Sequence, residues 1–331
     1  MMKRLLPLLL LIVAIGMSGC AGIGQLQQGS TVAGGPGVVI TDFSVDYSPI
    51  YAGDPVGLNL EVQNQGEYDT SIFKITWFGV DLSSTGWNLN PSTNPDKSNP
   101  RVVGADPVTG FEGGTWFTTR TITAPSSIAS STNFDLGVRI EYIYQTDYTA
   151  TIRIVDSNYL RTLAKEDRDA LLSSGGIRQS TATAAPITIK AASGAHFVAR
   201  GTDTPTTITI PFRVTNVGPG LPYDVDVADA ATAVSSGLYE IEVSSTSGIN
   251  CGGVGNIVLS RGKNGGFGCT LSVPGTVTNL EDRTFSLTLR YKYYVDGSTT
   301  LTVNPQYGGA TTVTTTAEST TTTAAETTTT T

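Results

Sequence analysis

The sequence predicts an all-β fold: two tandem immunoglobulin-like antiparallel β-sandwiches with one short helix between them. Three observations predict it. Apolar and polar residues alternate over short runs bounded by Gly, Pro and Asn, the signature of strands that bury one face. Those runs recur with an offset close to 151 residues, so one β-unit is present twice. Only 15% of the residues are charged and 37 are Gly, which excludes coiled coils, charged disordered chains and most long-helix architectures.

The strands are legible one by one. Val56, Leu58, Leu60 and Val62 alternate with polar neighbours and run into Asn64-Gln65-Gly66. Ile208, Ile210, Phe212 and Val214 do the same and run into Asn216-Val217-Gly218. Both Asn-x-Gly elements read as tight turns, because Asn and Gly tolerate positive φ. Later, FDLGVRIEY alternates from Phe134 to Tyr142, and FSLTLRYKY from Phe285 to Tyr293, with Arg139 and Arg290 at matching outward positions. Gly113-Gly114 reads as the counterpart of Gly265-Gly266. PITIKA, Pro186 to Ala191, reads as a further strand.

Between the copies, SNYLRTLAKEDRDALLSSGG carries a helical pattern, with early acids and a terminal Gly pair. Leu160, Leu163, Ala164, Leu171 and Leu172 form its apolar stripe. A helix this short needs a surface to dock on, and a sheet edge or a domain junction supplies one.

The ends of the chain speak to location. Lys3 and Arg4 precede an apolar stretch from Leu5 to Ile15, then Ser18, Gly19 and Cys20. This is the three-part pattern of an export signal and is too short to span a bilayer. It resembles the lipobox of lipoproteins, with Met17 where that pattern usually has Leu, and the resemblance implies lipidation of Cys20. Gln25 to Gly37 is rich in Gly and Gln, as in a flexible tether. From Thr311 to Thr331, fourteen residues are Thr and one is Val, too little apolar area to offset ordering. Cys251 and Cys269 remain as an even pair, which in an exported chain reads as a disulfide.

The expected organisation is therefore a signal peptide over 1–19, an anchor and tether over 20–37, a first sandwich over 38–156, a helical insert over 157–185, a second sandwich over 186–306 and a disordered tail over 307–331. The first copy also carries a family likeness. GVVITDFSVDYSPIYAGDPVGLNLEVQNQGEYDT, with Val39, Ile40, Asp42, Pro49, Ala52-Gly53 and Asn64-x-Gly66, resembles the opening of CARDB-like domains, the adhesion-related sandwich modules of bacterial and archaeal surface proteins. The likeness covers about 35 residues well. It implies a sandwich scaffold that works as a spacer or binding module, and it transfers no catalytic residue.

Residues suited to chemistry are sparse. His196 is the one histidine, and neither a G-x-S-x-G elbow nor a zinc ligand set accompanies it. Ser71-Ile72-Phe73-Lys74 matches S-x-x-K, but within a strand-like run. Asp224 and Asp226 in YDVDVAD would share one face of a strand, a weak ligand-facing or calcium surface against the plainer reading of a solvated face. Trp77 reads as core. Trp87, after a Ser-Ser-Thr-Gly loop, is the best candidate for an exposed sugar-stacking ring, against core packing.

The expectation is a non-enzymatic, lipid-anchored cell-surface protein acting in adhesion, as a scaffold or as a binding module, with no cofactor and no bound metal. Its partners would be the membrane, through the lipidated N-terminus, and a cell-envelope protein or polysaccharide. The net charge of −8 and the absence of a basic run disfavour nucleic acid. The alternatives are a structural subunit of a surface filament or envelope assembly, and a carbohydrate-binding or sugar-active exported protein.

Overall fold

A computed structural model describes residues 31–306, apart from 83–85, 93–95, 98, 174–175, 193–196, 200–205, 247, 252–254, 274–276 and 278. In chain order the first strands are β1 (Thr31–Gly34), β2 (Val38–Val45), β3 (Ile50–Tyr51), β4 (Pro55–Asn64) and β5 (Thr70–Phe78). Then come β6 (Asn88–Asn90), β7 (Arg101–Val102), β8 (Thr115–Thr123) and β9 (Thr132–Asp156). Helices α1 (Ser157–Thr162) and α2 (Lys165–Ser173) follow, then β10 (Ile177–Ala185), β11 (Ile187–Ala191), β12 (Phe197–Ala199), β13 (Thr206–Asn216) and β14 (Leu221–Tyr223). Helix α3 (Ala230–Ser236) precedes β15 (Glu240–Ser245), β16 (Ile249–Asn250), β17 (Asn256–Val258), β18 (Asn264–Val273) and β19 (Leu280–Asn304).

The fold is mostly β, with antiparallel sheets stacked in sandwich-like layers. Two four-stranded sheets, β2-β4-β8-β6 and β11-β13-β18-β16, cover an eleven-stranded sheet. The spine of that large sheet is the pair β9 and β19. Each has 25 residues, about 80 Å of extended chain, and they pair antiparallel from Leu280↔Val155 to Val303↔Thr132. Strands β5 and β10 line successive stretches of the far edge of β9, and β15 and β14 line that of β19. The alternation expected for Phe134–Tyr142 thus continues through Tyr144, Thr146, Tyr148, Ala150, Ile152 and Ile154, and one hydrophobic core runs through both halves.

The duplication is real, but its offset drifts. Asn64 corresponds to Asn216. Both donate from Nδ2 to two backbone carbonyls, of Tyr68 and Val102 in one half and of Gly220 and Gly262 in the other. Both accept at Oδ1 from the glycine two residues on, Gly66 or Gly218, and from a buried tyrosine hydroxyl, Tyr144 at 3.2 Å or Tyr293 at 2.9 Å. Likewise the Val38 and Ile187 amides donate to the Tyr142 and Tyr291 hydroxyls. Tyr142 therefore matches Tyr291, two residues short of Tyr293, so Arg139 and Arg290 are not equivalents. In the same way Gly114 matches Lys263, each offering its carbonyl to the backbone amide of the equivalent Asn, Asn64 or Asn216. From Val38 to Asn64 is 26 residues and from Ile187 to Asn216 is 29, whereas from Asn64 to Gly114 is 50 and from Asn216 to Lys263 is 47, so one connection is longer and the next shorter in the second copy, which a uniform spacing conceals.

The Asn-x-Gly elements also work differently from the tight turns expected. Neither Gly66 nor Gly218 has positive φ. Each is glycine because a Cβ would collide with the tyrosine hydroxyl that its neighbouring Asn accepts from. The segment 157–185 likewise holds more than one helix. Asp156 caps α1 through the Asn158 amide, α2 buries no residue, and Ile177–Ala185 is a strand antiparallel to β9. Leu160 is buried while Leu163, Leu171 and Leu172 are half-buried. A third helix, α3, was not anticipated. PITIKA and FKITWFG are strands as expected.

Asn64→Ala should lower stability by about 3 kcal/mol, because it strands several buried partners at once. Urea unfolding checks this, with exposed Gln65→Ala as the near-neutral control.

Candidate functional site

Side chains of the central strands that point away from the four-stranded sheets form a second, smaller layer. Its apolar part is Tyr223, Ala230, Ala233 and Tyr294, with Phe73, Leu221 and Val227 against them. Helix α3 lies here because Asp229 caps it, accepting from the Thr232 amide at 2.8 Å, and Gly237 ends it in the left-handed conformation.

Glu141 on β9 is 1% exposed. Its Oε2 accepts from the Tyr223 hydroxyl at 2.7 Å and from the Ala230 amide at 2.8 Å. Lys74 on β5 supplies the compensating charge, with Nζ 3.8 Å from Glu141 Oε1 and 3.1 Å from Asp229 Oδ2. Lys292 donates to the Val227 carbonyl at 2.6 Å and lies over the Phe73 ring. Burial pushes its ammonium pKa down. Burial, then the bond to Glu141, pushes the Tyr223 phenol up. The Thr232 amide and hydroxyl, then Lys74, hold Asp229 down at about 2. Glu141 Oε2 thus takes two hydrogen bonds while Oε1 faces the Lys74 ammonium. The cluster fastens α3 and β14 to the sheet, and its carboxylate is closed to solvent.

Two clefts open nearby. One of about 570 Å³ is lined by Glu67, Asp69, Asp106, Val108 and Phe111. Another of about 290 Å³ is lined by Tyr68, Phe73, Arg101 and Arg290. Asp106 is occupied in its own loop, accepting from Val108, Thr109 and the Thr109 hydroxyl, and those bonds lower its pKa. Asp69 is bound to Arg101 and the Gly104 amide. Among the described residues no three His, Cys, Asp or Glu gather to hold a metal ion.

The residues singled out in the sequence fare unequally. Cys251 and Cys269 are joined by a disulfide, which ties the end of β16 to β18. Trp87 is no exposed ring. It is 7% exposed, packs edge-to-face on Phe134 at 5.0 Å and belongs to the main core, where so large an apolar ring is better placed than in water. Trp77 is core, at 3%. Asp224 and Asp226 lie in a turn, not on a strand. Asp224 Oδ1 takes the Asp226 amide at 2.8 Å and its Oδ2 takes Asn256, and such local bonds compete with strand pairing. Cys20 and His196 lie outside the described residues, as does the Thr-rich tail. Ser71 and Lys74 sit on β5, with Lys74 committed to the Glu141 cluster. Sequence reasoning missed Glu141, whose one signal is a charged residue at a central position of a long strand.

No known protein family matches the chain, and no curated protein matches it. Among solved structures it is similar to a bacterial adhesin from Mobiluncus mulieris at 8% identity, over 82% of this chain and 99% of that one, with a TM-score of 0.18. The collagen adhesin from S. aureus matches at 12% identity, over 84% and 96%, with a TM-score of 0.13. The CupB6 tip adhesin from Pseudomonas aeruginosa matches at 9% identity, over 82% and 99%, with a TM-score of 0.14. Likenesses of this size carry no argument.

The Asp229 shift has a stability consequence. Its folded pKa of about 2 lies below the ordinary 3.8, so its contribution is complete above pH 4 and is lost as pH falls from 4 towards 2. Asp229→Asn, which keeps a capping side chain, should flatten that limb of a melting-temperature profile against pH.

Proposed function

We propose that this chain is an exported, lipid-anchored, non-enzymatic surface module that holds binding faces away from the membrane. The observation that carries the reading is the spine. Paired 25-residue strands run unbroken through both halves, so the covering sheets are held by shared strands rather than by a linker. Adhesion and scaffolding need such stiffness, since a face presented at a fixed position loses less freedom on binding.

Polar cross-strand pairs support it. Along the solvent side of the spine, Arg139 grips Asp296 and Arg153 grips Asp282 through paired bonds of 2.6–2.7 Å. Between and beyond them lie Thr149–Ser286, Thr151–Thr284, Thr288–Asp147, Thr300–Asp135 and Thr302–Asn133. Pairs of this kind set register without making the surface sticky. The disulfide suits an oxidising exterior. The membrane attachment is argued from the signal pattern before Cys20, and the CARDB-like opening of the first half fits the same role.

Cys20→Ala should move the protein from the membrane fraction to the soluble one, with surface labelling of intact cells lost in parallel. Full membrane retention of the variant would contradict the anchor.

A further inference from the structure

We propose that this protein binds further copies of itself head to tail, seating the outer face of the β2-β4-β8-β6 sheet of one chain on the outer face of the β11-β13-β18-β16 sheet of the next. The two faces occupy equivalent places in the duplicated fold and differ in a complementary way.

On the first face, Asp42, Glu61 and Phe117 form one row across β2, β4 and β8, paired as Asp42↔Glu61 and Glu61↔Phe117. On the second, the equivalent row is Lys190, Arg213 and Gly266, paired as Lys190↔Arg213 and Arg213↔Gly266. Residues directly opposite in a ladder project to the same side. Two acids and an aromatic ring thus stand where the other half has two bases and a hydrogen. Strand spacing sets the same interval along both rows, about 4.8 Å. The rows can therefore meet residue for residue. Among the described residues none of Asp42, Glu61, Lys190 and Arg213 makes an ion pair.

Phe117 is 60% exposed on the β8 side of this polar face, beyond the stretch that β6 covers, and burial of such a ring is favourable. The facing floor is glycine. A Cβ on Gly268 would meet only Thr209 Cγ2, at an ordinary 3.4 Å, whereas one on Gly266 would meet a single atom, the Phe212 carbonyl oxygen, tightly at 3.1 Å. By contrast a Cβ on Gly265 would press on Leu259 at 2.6 Å. Neither Gly266 nor Gly268 has positive φ. Glycine inside a strand weakens it and marks close approach of another surface. Pro211 and Arg213, facing Gly268 and Gly266, wall the bare floor, and Arg213 would flank the seated ring as a cation.

The contact is heterologous, so it propagates. Both four-stranded sheets cover the same side of the large sheet, because Tyr142, which meets Val38, pairs with Tyr293, which meets Asn216. Matching the rows acid to base sets the second chain face-down and displaced along the spine, with its own Phe117 face left for a third. Each contact covers about 400 Å² per chain, judged from three strands of about eight residues. That is at the weak end of specific interfaces.

The test is sedimentation velocity on the full chain over a concentration series at low and high salt. The weight-average mass should climb past a dimer with concentration and fall back in high salt. Phe117→Thr and Gly266→Thr should each abolish assembly while the chain stays cooperatively folded, with the melting temperature of Phe117→Thr unchanged or raised. Mixed together they should form a 1:1 dimer, one supplying the ring and the other the floor. Glu61→Lys and Arg213→Glu should each weaken assembly, and the double variant should restore it. A chain that stays monomeric up to its solubility limit, a series that stops at a dimer, or Gly266→Thr assembling like the parent would overturn the proposal.

Discussion

Four tyrosine hydroxyls have to be satisfied in a dry core, and most of the architecture follows from how that is done. Tyr142, Tyr144, Tyr291 and Tyr293 are all fully buried where β9 crosses β19. Their rings contact one another at centroid distances of 5.6–6.3 Å. A buried hydroxyl without a partner costs several kcal/mol, and burial pushes all four phenols up, so they stay protonated and can both donate and accept. Each reaches across to the covering sheet: Tyr142 and Tyr291 to the first residues of β2 and β11, Tyr144 and Tyr293 to Asn64 and Asn216 at the ends of β4 and β13. Those bonds set the height and register of both covering sheets at once. A slip of one residue between β9 and β19 would turn every ring to the other face, so the long register is held most firmly at its middle.

The two halves solve this problem identically, which makes the duplication visible at all. Inside, positions are pinned by volume and by hydrogen bonds, and the copies keep Asn, Gly and Tyr. The solvent side is looser. The equivalents of Arg139–Asp296 are Thr288–Asp147, and those of Arg153–Asp282 are Thr302–Asn133. The ladder survives in form while its chemistry changes, because a surface pair needs only complementary partners.

The same contrast explains what could be read from the chain. Strand identity was legible wherever one face is buried, as along Val56–Val62 and Phe134–Tyr142, since period two follows directly from the pleat. The lengths of β9 and β19 were not. Thr146 interrupts the apolar series, and only the structure shows its hydroxyl bonded to the Ile187 carbonyl and beside Tyr291 in the core. The Asn-x-Gly repeats were seen and their cause was not, because the partner hydroxyl lies 80 residues away in sequence. Glu141, Lys74 and Asp229 come from three distant places, and no local pattern announces a cluster assembled by topology. Trp87 failed as a surface residue for the opposite reason: its local context is polar, and its burial is decided by Phe134, 47 residues further on.

Divergence on the outer faces has a different character from divergence along the spine. Replacing an Arg–Asp pair by Thr–Asp keeps a stable pair, so drift under packing constraints accounts for it. Placing an exposed phenylalanine at Phe117 satisfies no internal demand, and the bare glycines at Gly266 and Gly268 answer at most one close carbonyl, that of Phe212 against Gly266. One strands apolar area in water, and the other gives up strand propensity near the start of β18. Both costs are offset by a single contact in which ring meets floor and acids meet bases. A contact of that small area is too weak to hold dilute chains together. On a membrane, an anchor would confine the chains to a layer and raise their effective concentration. The weakness then becomes selective: chains would assemble where they are tethered and stay apart while in transit.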